Sequence, residues 1–209
     1  MIENKNQNDI KIYFIFKRIF DVLVSSLLLI LLSPAFLIIT ILIFVTSGSP
    51  IFFYQERVGK NWKSFKILKF RTMISNADKI GPGITSSDDN RITPIGKILR
   101  KLKLDELPQL INVIHGDMSL IGPRPELPKY VNYFKNDYSS ILNIKPGITD
   151  YASIKFINEE SLISSEDREF IYLNKILPSK IILYKKYLNE ISFLTDLKIL
   201  FFTLKGLVS

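Results

Sequence analysis

The chain predicts an α+β fold, mostly helical, in which an N-terminal re-entrant membrane helix-hairpin is joined to a small globular domain carrying a short β-hairpin and interfacial amphipathic helices. Three observations lead there: an uncharged run from Val22 to Val45 interrupted at Ser33-Pro34, two adjacent strand-like segments behind it, and a basic helix beginning at Pro94 with one apolar stripe. At 209 residues, 47% hydrophobic and 23% charged, the chain is too apolar to be disordered and long enough for one domain and an appendage. Residues 1–48 form the hairpin segment in this reading and residues 49–209 the globular domain.

The uncharged run holds 24 residues; as a helix it is about 36 Å long, against a hydrocarbon core of roughly 30 Å. A buried core helix would be shorter and keep a polar face. A cleaved signal would be shorter too and would end in a small-x-small site, so the segment is expected to be retained. Lys17 and Arg18 precede the run, and Arg57, Lys60, Lys63 and Lys66 follow it. A spanning helix would export one of these groups, against the positive-inside tendency. Pro34 removes a backbone hydrogen bond and presses on the carbonyl of Ile30, while the Ser33 hydroxyl can satisfy a carbonyl freed by the break. The expectation is a hairpin with both ends on one side.

Ile51 to Val58 and Ser64 to Thr72 are aromatic and β-branched and are separated by Gly59-Lys60-Asn61, a hairpin pattern; the second strand carries Lys66, Lys69 and Arg71. Gly81-Pro82-Gly83 and the polar stretch Thr85 to Asn90 read as loop. Thr93 caps a helix with proline at its first position, and Ile95, Ile98, Leu99 and Leu102 fall on one stripe among Lys97, Arg100, Lys101 and Lys103. A soluble basic helix shows the same pattern, but beside a lipid-buried run it fits the interface. Between Arg57 and Lys103 stand 12 basic and 3 acidic residues, net +9 in a chain of net +8. That concentration suits anionic headgroups and phosphate substrates. No reading-helix, RNP or zinc-finger pattern supports nucleic-acid binding. Ile191 to Val208 is helical and apolar, with Leu194, Leu197, Leu200, Phe201 and Leu204 in register as core or a second interfacial surface.

With no cysteine and one histidine, disulfides, thiolate zinc sites, cysteine nucleophiles and His-based triads are excluded or nearly so. Chemistry falls to carboxylates, Lys/Arg and hydroxyls. Asp105 and Glu106 lie between leucines directly after the basic helix, with Lys101 one turn before Asp105 if the helix continues. Two acids in a basic cleft can divide labour: cations keep one ionised as a nucleophile, while the other holds a divalent metal or handles protons. A solvated helix face is the ordinary alternative for such a pair.

The longer run sharpens this. Asn90-Arg91-Ile92-Thr93-Pro94-Ile95-Gly96, Leu99-Arg100, Leu104-Asp105-Glu106-Leu107-Pro108-Gln109-Leu110, Asn112-Val113, Gly116-Asp117-Met118-Ser119-Leu120-Ile121-Gly122-Pro123-Arg124-Pro125 and Lys145-Pro146-Gly147-Ile148-Thr149 closely resemble the bacterial sugar transferase family, whose members are monotopic phosphoglycosyl transferases. Lys17-Arg18-Ile19-Phe20-Asp21, Ser33-Pro34 and Lys69-Phe70-Arg71-Thr72-Met73 extend the resemblance over most of the chain. It implies transfer of a sugar-1-phosphate from a nucleotide sugar, usually a UDP-sugar, to polyprenyl (undecaprenyl) phosphate with release of UMP, the first step of a membrane-associated glycan. It further implies Asp105 as nucleophile, Glu106 as its partner and the residue associated with Mg2+, and Arg100 as an arginine near the dyad. Lys69, Arg71 and Arg124, the last flanked by Pro123 and Pro125, are the candidates for holding phosphates and nucleotide. The globular part is then a cytosolic catalytic domain on the cytoplasmic face of a bacterial inner membrane, in contact with anionic lipids.

One segment departs from the family pattern. Where many members continue Gly-Trp-Ala-Gln-Val-Asn-Gly-Arg, this chain has Asp150-Tyr151-Ala152-Ser153-Ile154-Lys155-Phe156-Ile157, with Lys155 the available substitute for the missing arginine. The sequence names neither the hexose nor the oligomeric state. A non-catalytic membrane adaptor that uses the +9 segment to hold anionic lipid or partner proteins is the competing reading.

Overall fold

The computed structural model describes residues 7–81, 84–86, 89–163 and 167–208. Pro82-Gly83 and Ser87-Asp88, parts of the expected loop, lie outside them. The remainder is mostly helical with two small two-stranded sheets, in keeping with the α+β expectation.

Helix α1 (Gln7–Leu31) and helix α2 (Ser33–Ser47) meet at the expected break, bent by 61°. Ser33 Oγ donates to the Ile30 carbonyl at 2.8 Å, so the hydroxyl satisfies the oxygen that Pro34 displaces. Among the described residues no single helix is long and apolar enough to cross a membrane; the bent pair reaches that length and hydropathy only together. Much of its surface is apolar and uncovered, including Leu23, Leu27, Ile30, Leu37, Ile41 and Val45.

Both ends of the pair are fastened to the same body. Lys17 is buried and donates to Asp196 Oδ2 at 2.6 Å, and Tyr13 and Tyr187 donate to the same carboxylate at 2.7 Å each. Arg18 donates to the carbonyls of Val113 and Ile114. Buried Asp21 accepts from Leu120 N at 3.2 Å. The cations preceding the apolar run are therefore consumed by the protein rather than presented to headgroups. At the far end, Ile39 and Ile43 of α2 are buried with Phe70 and Leu99 in a small second core, so one face of the uncharged run packs on protein.

Strands β1 (Phe52–Val58) and β2 (Ser64–Phe70) form the expected antiparallel hairpin, Phe52 opposite Phe70 and Val58 opposite Ser64. After α3 (Ala77–Ile80), Thr93 Oγ1 accepts from Gly96 N at 3.0 Å and caps α4 (Pro94–Lys101). Its predicted stripe divides: Leu99 is buried, whereas Ile98 and Leu102 are exposed. Lys103 then adopts a left-handed φ of 55° and starts a single 3₁₀ turn, Leu104–Glu106, followed by α5 (Gln109–His115). Asn112 of α5 donates to Lys66 O and accepts from Leu68 N, which fixes α5 across β2.

Strand β3 (Ser119–Ile121) leads through α6 (Pro128–Tyr133) and α7 (Lys135–Ile141) to β4 (Gly147–Thr149), which pairs parallel to it. A Cβ on Gly147 would lie 2.1 Å from Gly122 N, so the glycines at this crossing are required by close backbone approach. The remaining helices are α8 (Tyr151–Lys155), α9 (Arg168–Ile171), a π turn at Tyr172–Ile176, α10 (Leu177–Glu190) and α11 (Phe193–Val208). The main core is built on Tyr138, Tyr184, Tyr187, Met118 and Val113, with Phe20, Val24 and Leu28 of α1 packed against it. On α11, Ile199 and Asp196 face inward, while Leu194, Leu197, Phe201 and Leu204 of the predicted stripe face outward.

Candidate active site

A cavity of about 700 Å³ opens between the bend of the helix pair, the end of β2, the 3₁₀ turn and α11; Leu28, Leu32, Arg71, Asp105, Arg124 and Leu204 mark its walls. The two acids sit in it on unequal terms. Glu106 is clamped: Lys69 Nζ donates to Oε1 at 2.8 Å, and Arg124 donates from Nη1 to Oε2 at 3.0 Å and from Nη2 to Oε1. Asp105 is 6% exposed, and among the described residues its carboxylate accepts no hydrogen bond.

Electrostatics divides the pair accordingly. Burial opposes ionisation of Glu106, but Arg124 and Lys69 outweigh it and hold that carboxyl well below the usual range. Burial raises Asp105, and Lys69, Arg100 and Lys103 only partly offset it while the charge on Glu106 adds to it. Burial likewise lowers Lys69 despite Glu106 beside it. This corrects one expectation: the strongest cation contacts serve Glu106 and not the proposed nucleophile. It corrects another as well. Lys101 is exposed, because α4 ends there and the left-handed Lys103 breaks the one-turn relation to Asp105; a strand lysine, Lys69, takes the place next to the dyad.

The Pro-Arg-Pro loop is held from behind. Pro123 O accepts from Gly147 N at 3.0 Å, Pro125 O from Arg57 Nη1 at 3.0 Å, and Arg124 N donates to Asp150 Oδ2 at 3.1 Å. Pro123 and Pro125 therefore do not line the large cavity; they border a small one on the other side of the loop and fix where Arg124 reaches. Asp150, at the start of the departing segment, is buried, caps α8 by accepting from Ser153 N at 2.6 Å, and is raised by that burial. Lys155 is exposed, with its ammonium over the ring of neighbouring Phe156, and it does not line the cavity, so it does not replace the absent arginine there.

Arg71 and Arg100 are both on the cavity but engaged. Arg71 donates from Nη2 to Ser47 O at 2.5 Å and to Gly48 O at 2.7 Å, the carbonyls that end α2. Arg100 forms an ion pair with Glu160 and donates to Thr72 Oγ1 at 3.3 Å. Deeper in the wall lies a group that the sequence did not single out: buried Glu126 accepts from Tyr172 Oη at 2.5 Å, and Lys180 lies 2.5 Å from Glu159 Oε2. Its one sequence signal is the position of Glu126 directly after Pro-Arg-Pro. The partners come from α10 and its approach, more than 30 residues away.

Among the described residues no three acids or histidines gather as a metal cage. Magnesium asks for less: one or two carboxylates, retained waters and substrate phosphate oxygens. The dyad fits that demand. Asp105 is unbonded, and Glu106 Oε2 accepts one hydrogen bond and so retains a second acceptor position.

The model of the bacterial sugar transferase family matches residues 12–209. The chain is 37% identical over 186 residues to "exopolysaccharide production protein ExoY" of Sinorhizobium fredii, covering 81% of this chain and 82% of that protein. It is 37% identical over 205 residues to "UDP-glucose:undecaprenyl-phosphate glucose-1-phosphate transferase" of Klebsiella pneumoniae, covering 95% of this chain and 41% of that one. A third relative, "UDP-N-acetylgalactosamine-undecaprenyl-phosphate N-acetylgalactosaminephosphotransferase" of Aeromonas hydrophila, is 41% identical over 146 residues, 68% of this chain and 34% of its own. The chain thus spans most of the first relative and well under half of the other two.

Proposed function

Because the chain belongs to the bacterial sugar transferase family, we propose that it transfers a sugar-1-phosphate from a UDP-sugar to polyprenyl phosphate, releasing UMP, and so begins a membrane-associated glycan. Names of relatives include undecaprenyl-phosphate sugar phosphotransferases and exopolysaccharide production proteins. The observation that carries the reading is the asymmetry of the dyad, one carboxylate clamped by two cations and its neighbour unbonded in a large cavity.

In this scheme Asp105 Oδ attacks the phosphorus that bears the sugar. A bond forms from Asp105 to phosphorus, and the bond to the UMP oxygen breaks with its electron pair leaving on UMP. A phosphate oxygen of the lipid acceptor then attacks the same phosphorus, and the Asp105 carboxylate leaves. Lys69 and Arg124 keep Glu106 ionised and fixed; Arg124, Arg100 and Lys103, all on the cavity, supply the positive charge that non-bridging oxygens require. Mg2+, held by Glu106 with Asp105 and substrate oxygens, would supply further charge neutralisation.

The same reading places the bent helix pair in one leaflet of the bacterial inner membrane, with the catalytic domain on the cytoplasmic face. Its support is mechanical: Lys17 and Arg18 tie the start of the pair, and Arg71 its end, to one body, so the two ends do not part across a bilayer. The deciding experiment is mass spectrometry of protein treated with UDP-sugars while acceptor is withheld. A sugar-phosphate adduct on Asp105 with matching UMP release is expected, and neither in Asp105→Asn. Lipid product accumulating without the adduct, or undiminished turnover in Asp105→Asn, would refute it.

A further inference from the structure

We propose that Arg71 seats the phosphate of the lipid acceptor, a phosphate monoester on a polyprenyl chain admitted beside the end of α2; this rests on the transfer reaction above and assigns its second substrate a place. Of the other cations on the cavity, Lys69 and Arg124 hold Glu106, Arg100 holds Glu160 and Lys180 holds Glu159, while Lys103 is only half-buried. Arg71 is 6% exposed and, among the described residues, pairs with no carboxylate. Its Nη2 is spent on the last carbonyls of α2, whose helix-end partial charge balances part of the guanidinium. Its Nε and Nη1 are buried without a hydrogen-bond partner. Two unpaired donors on a buried cation are costly, and a phosphate monoester satisfies both their hydrogen bonds and the charge.

The location separates this seat from that of the donor. Arg71 N donates to Ile51 O at 2.9 Å, extending the β pairing one residue past Phe70. Lys69 and Arg71 therefore leave the strand on one side, about 7 Å apart along it. Lys69 reaches the dyad; Arg71 stands one step nearer the end of α2. On that side the cavity wall carries Pro50, two residues past Gly48, and Phe53, which faces the same way as Lys69 across the hairpin. A nucleotide sugar has no use for such a wall, whereas the first isoprene units behind a lipid phosphate do. From this seat an acceptor oxygen attacks the phosphorus carried by Asp105, forms the P–O–P link, and displaces the carboxylate without needing an added proton.

The test uses the full chain in detergent or nanodiscs, with undecaprenyl phosphate and a UDP-hexose that the wild type accepts. For Arg71→Gln the KM for undecaprenyl phosphate should rise at least tenfold, and by a clearly larger factor than the donor KM; Arg71→Lys, which keeps the charge, should fall between. Phe53→Ser removes apolar surface beside the seat without touching the guanidinium and should also raise the acceptor KM, which guards against Arg71→Gln acting only by loosening α2. Binding is read separately: undecaprenyl phosphate should raise the melting temperature of the wild type more than that of Arg71→Lys, and undecaprenol should raise neither. Phosphatidylglycerol producing the same difference would assign the seat to headgroups and overturn the proposal. So would an unchanged acceptor KM with the loss confined to donor-only UMP release. A wild type that forms no Asp105 adduct yet shows the Arg71-dependent binding would defeat the covalent scheme and leave this seat standing.

Discussion

Replacing Arg124 by lysine tests whether this arginine acts through Glu106. The guanidinium makes two charge-assisted bonds to that carboxylate, one at 3.0 Å from Nη1 to Oε2 and one from Nη2 to Oε1; an ammonium on a shorter stem can replace one at most. Losing a hydrogen bond to a charged group costs about 1.5–3 kcal/mol, or roughly 10- to 150-fold in kcat/KM. In a Glu106→Gln background the same bond is to a neutral amide and is worth only about 0.5–1.5 kcal/mol. The two substitutions should therefore be less than additive by about 1–1.5 kcal/mol. The assay is UMP release by wild type, both single variants and the double variant, repeated as a thermal-unfolding cycle in the same detergent. Additivity to within about 0.5 kcal/mol in both readouts would show that Arg124 and Glu106 work independently, and the clamp would lose its meaning.

Four further outcomes follow from the geometry. Burial raises the Asp105 carboxyl while Lys69 pulls it down, so the acid limb of donor-only adduct formation should lie above the ordinary aspartate value of about 3.9 and move higher still in Lys69→Met; a limb that moves down would refute the assignment. Gly96→Ala places a Cβ 2.0 Å from Thr72 O, a backbone clash that must push α4, and the dyad behind it, off the strand; a loss of stability of at least about 1–3 kcal/mol and reduced turnover are expected by thermal unfolding and UMP release. Lys17→Met strands a buried carboxylate, since the side chains of Lys17 and Asp196 are only 7% and 4% exposed; with Tyr13 and Tyr187 still donating, the cost should fall near the lower end of about 3–5 kcal/mol. Lys129→Met, in an exposed pair with Glu169, should cost no more than about 1 kcal/mol in the same denaturation series.

Local chemistry was legible in the chain, and tertiary partnership was not. The break at Ser33-Pro34, the hairpin of β1 and β2 and the Thr93 cap each follow from a few neighbouring residues, and the structure shows each of them. The parallel pairing of β3 with β4 escaped because each strand has three residues, too few for alternation to register. In the site, the Asp105-Glu106 pair stood out by its placement between leucines. Which cation served which acid did not, because one left-handed residue, Lys103, turns the dyad away from Lys101 and toward β2. The partnership of Glu126 with Tyr172 joins residues 46 apart, a distance at which sequence spacing carries no signal.

The segment of net +9 shows what folding does to such a pattern. As a string of charges from Arg57 to Lys103 it suits headgroups and phosphate ligands equally, and the structure sorts it into two populations. Lys60, Lys63, Lys66, Lys97 and Lys101 are exposed, whereas Arg57, Lys69, Arg71, Arg91, Arg100 and Lys103 are turned wholly or partly inward. The sorting follows side-chain chemistry: every exposed member among the described residues is a lysine, a compact and strongly hydrated charge, and four of the six inward members are arginines, whose planar guanidinium tolerates desolvation and holds several acceptors at once. Only the exposed lysines can contribute salt-sensitive attraction to an anionic surface, while the inward arginines act at short range in the cavity, where screening is weak. On the proposed reading, raising ionic strength should therefore loosen association of the exposed lysines with an anionic surface well before it weakens the binding of phosphate inside.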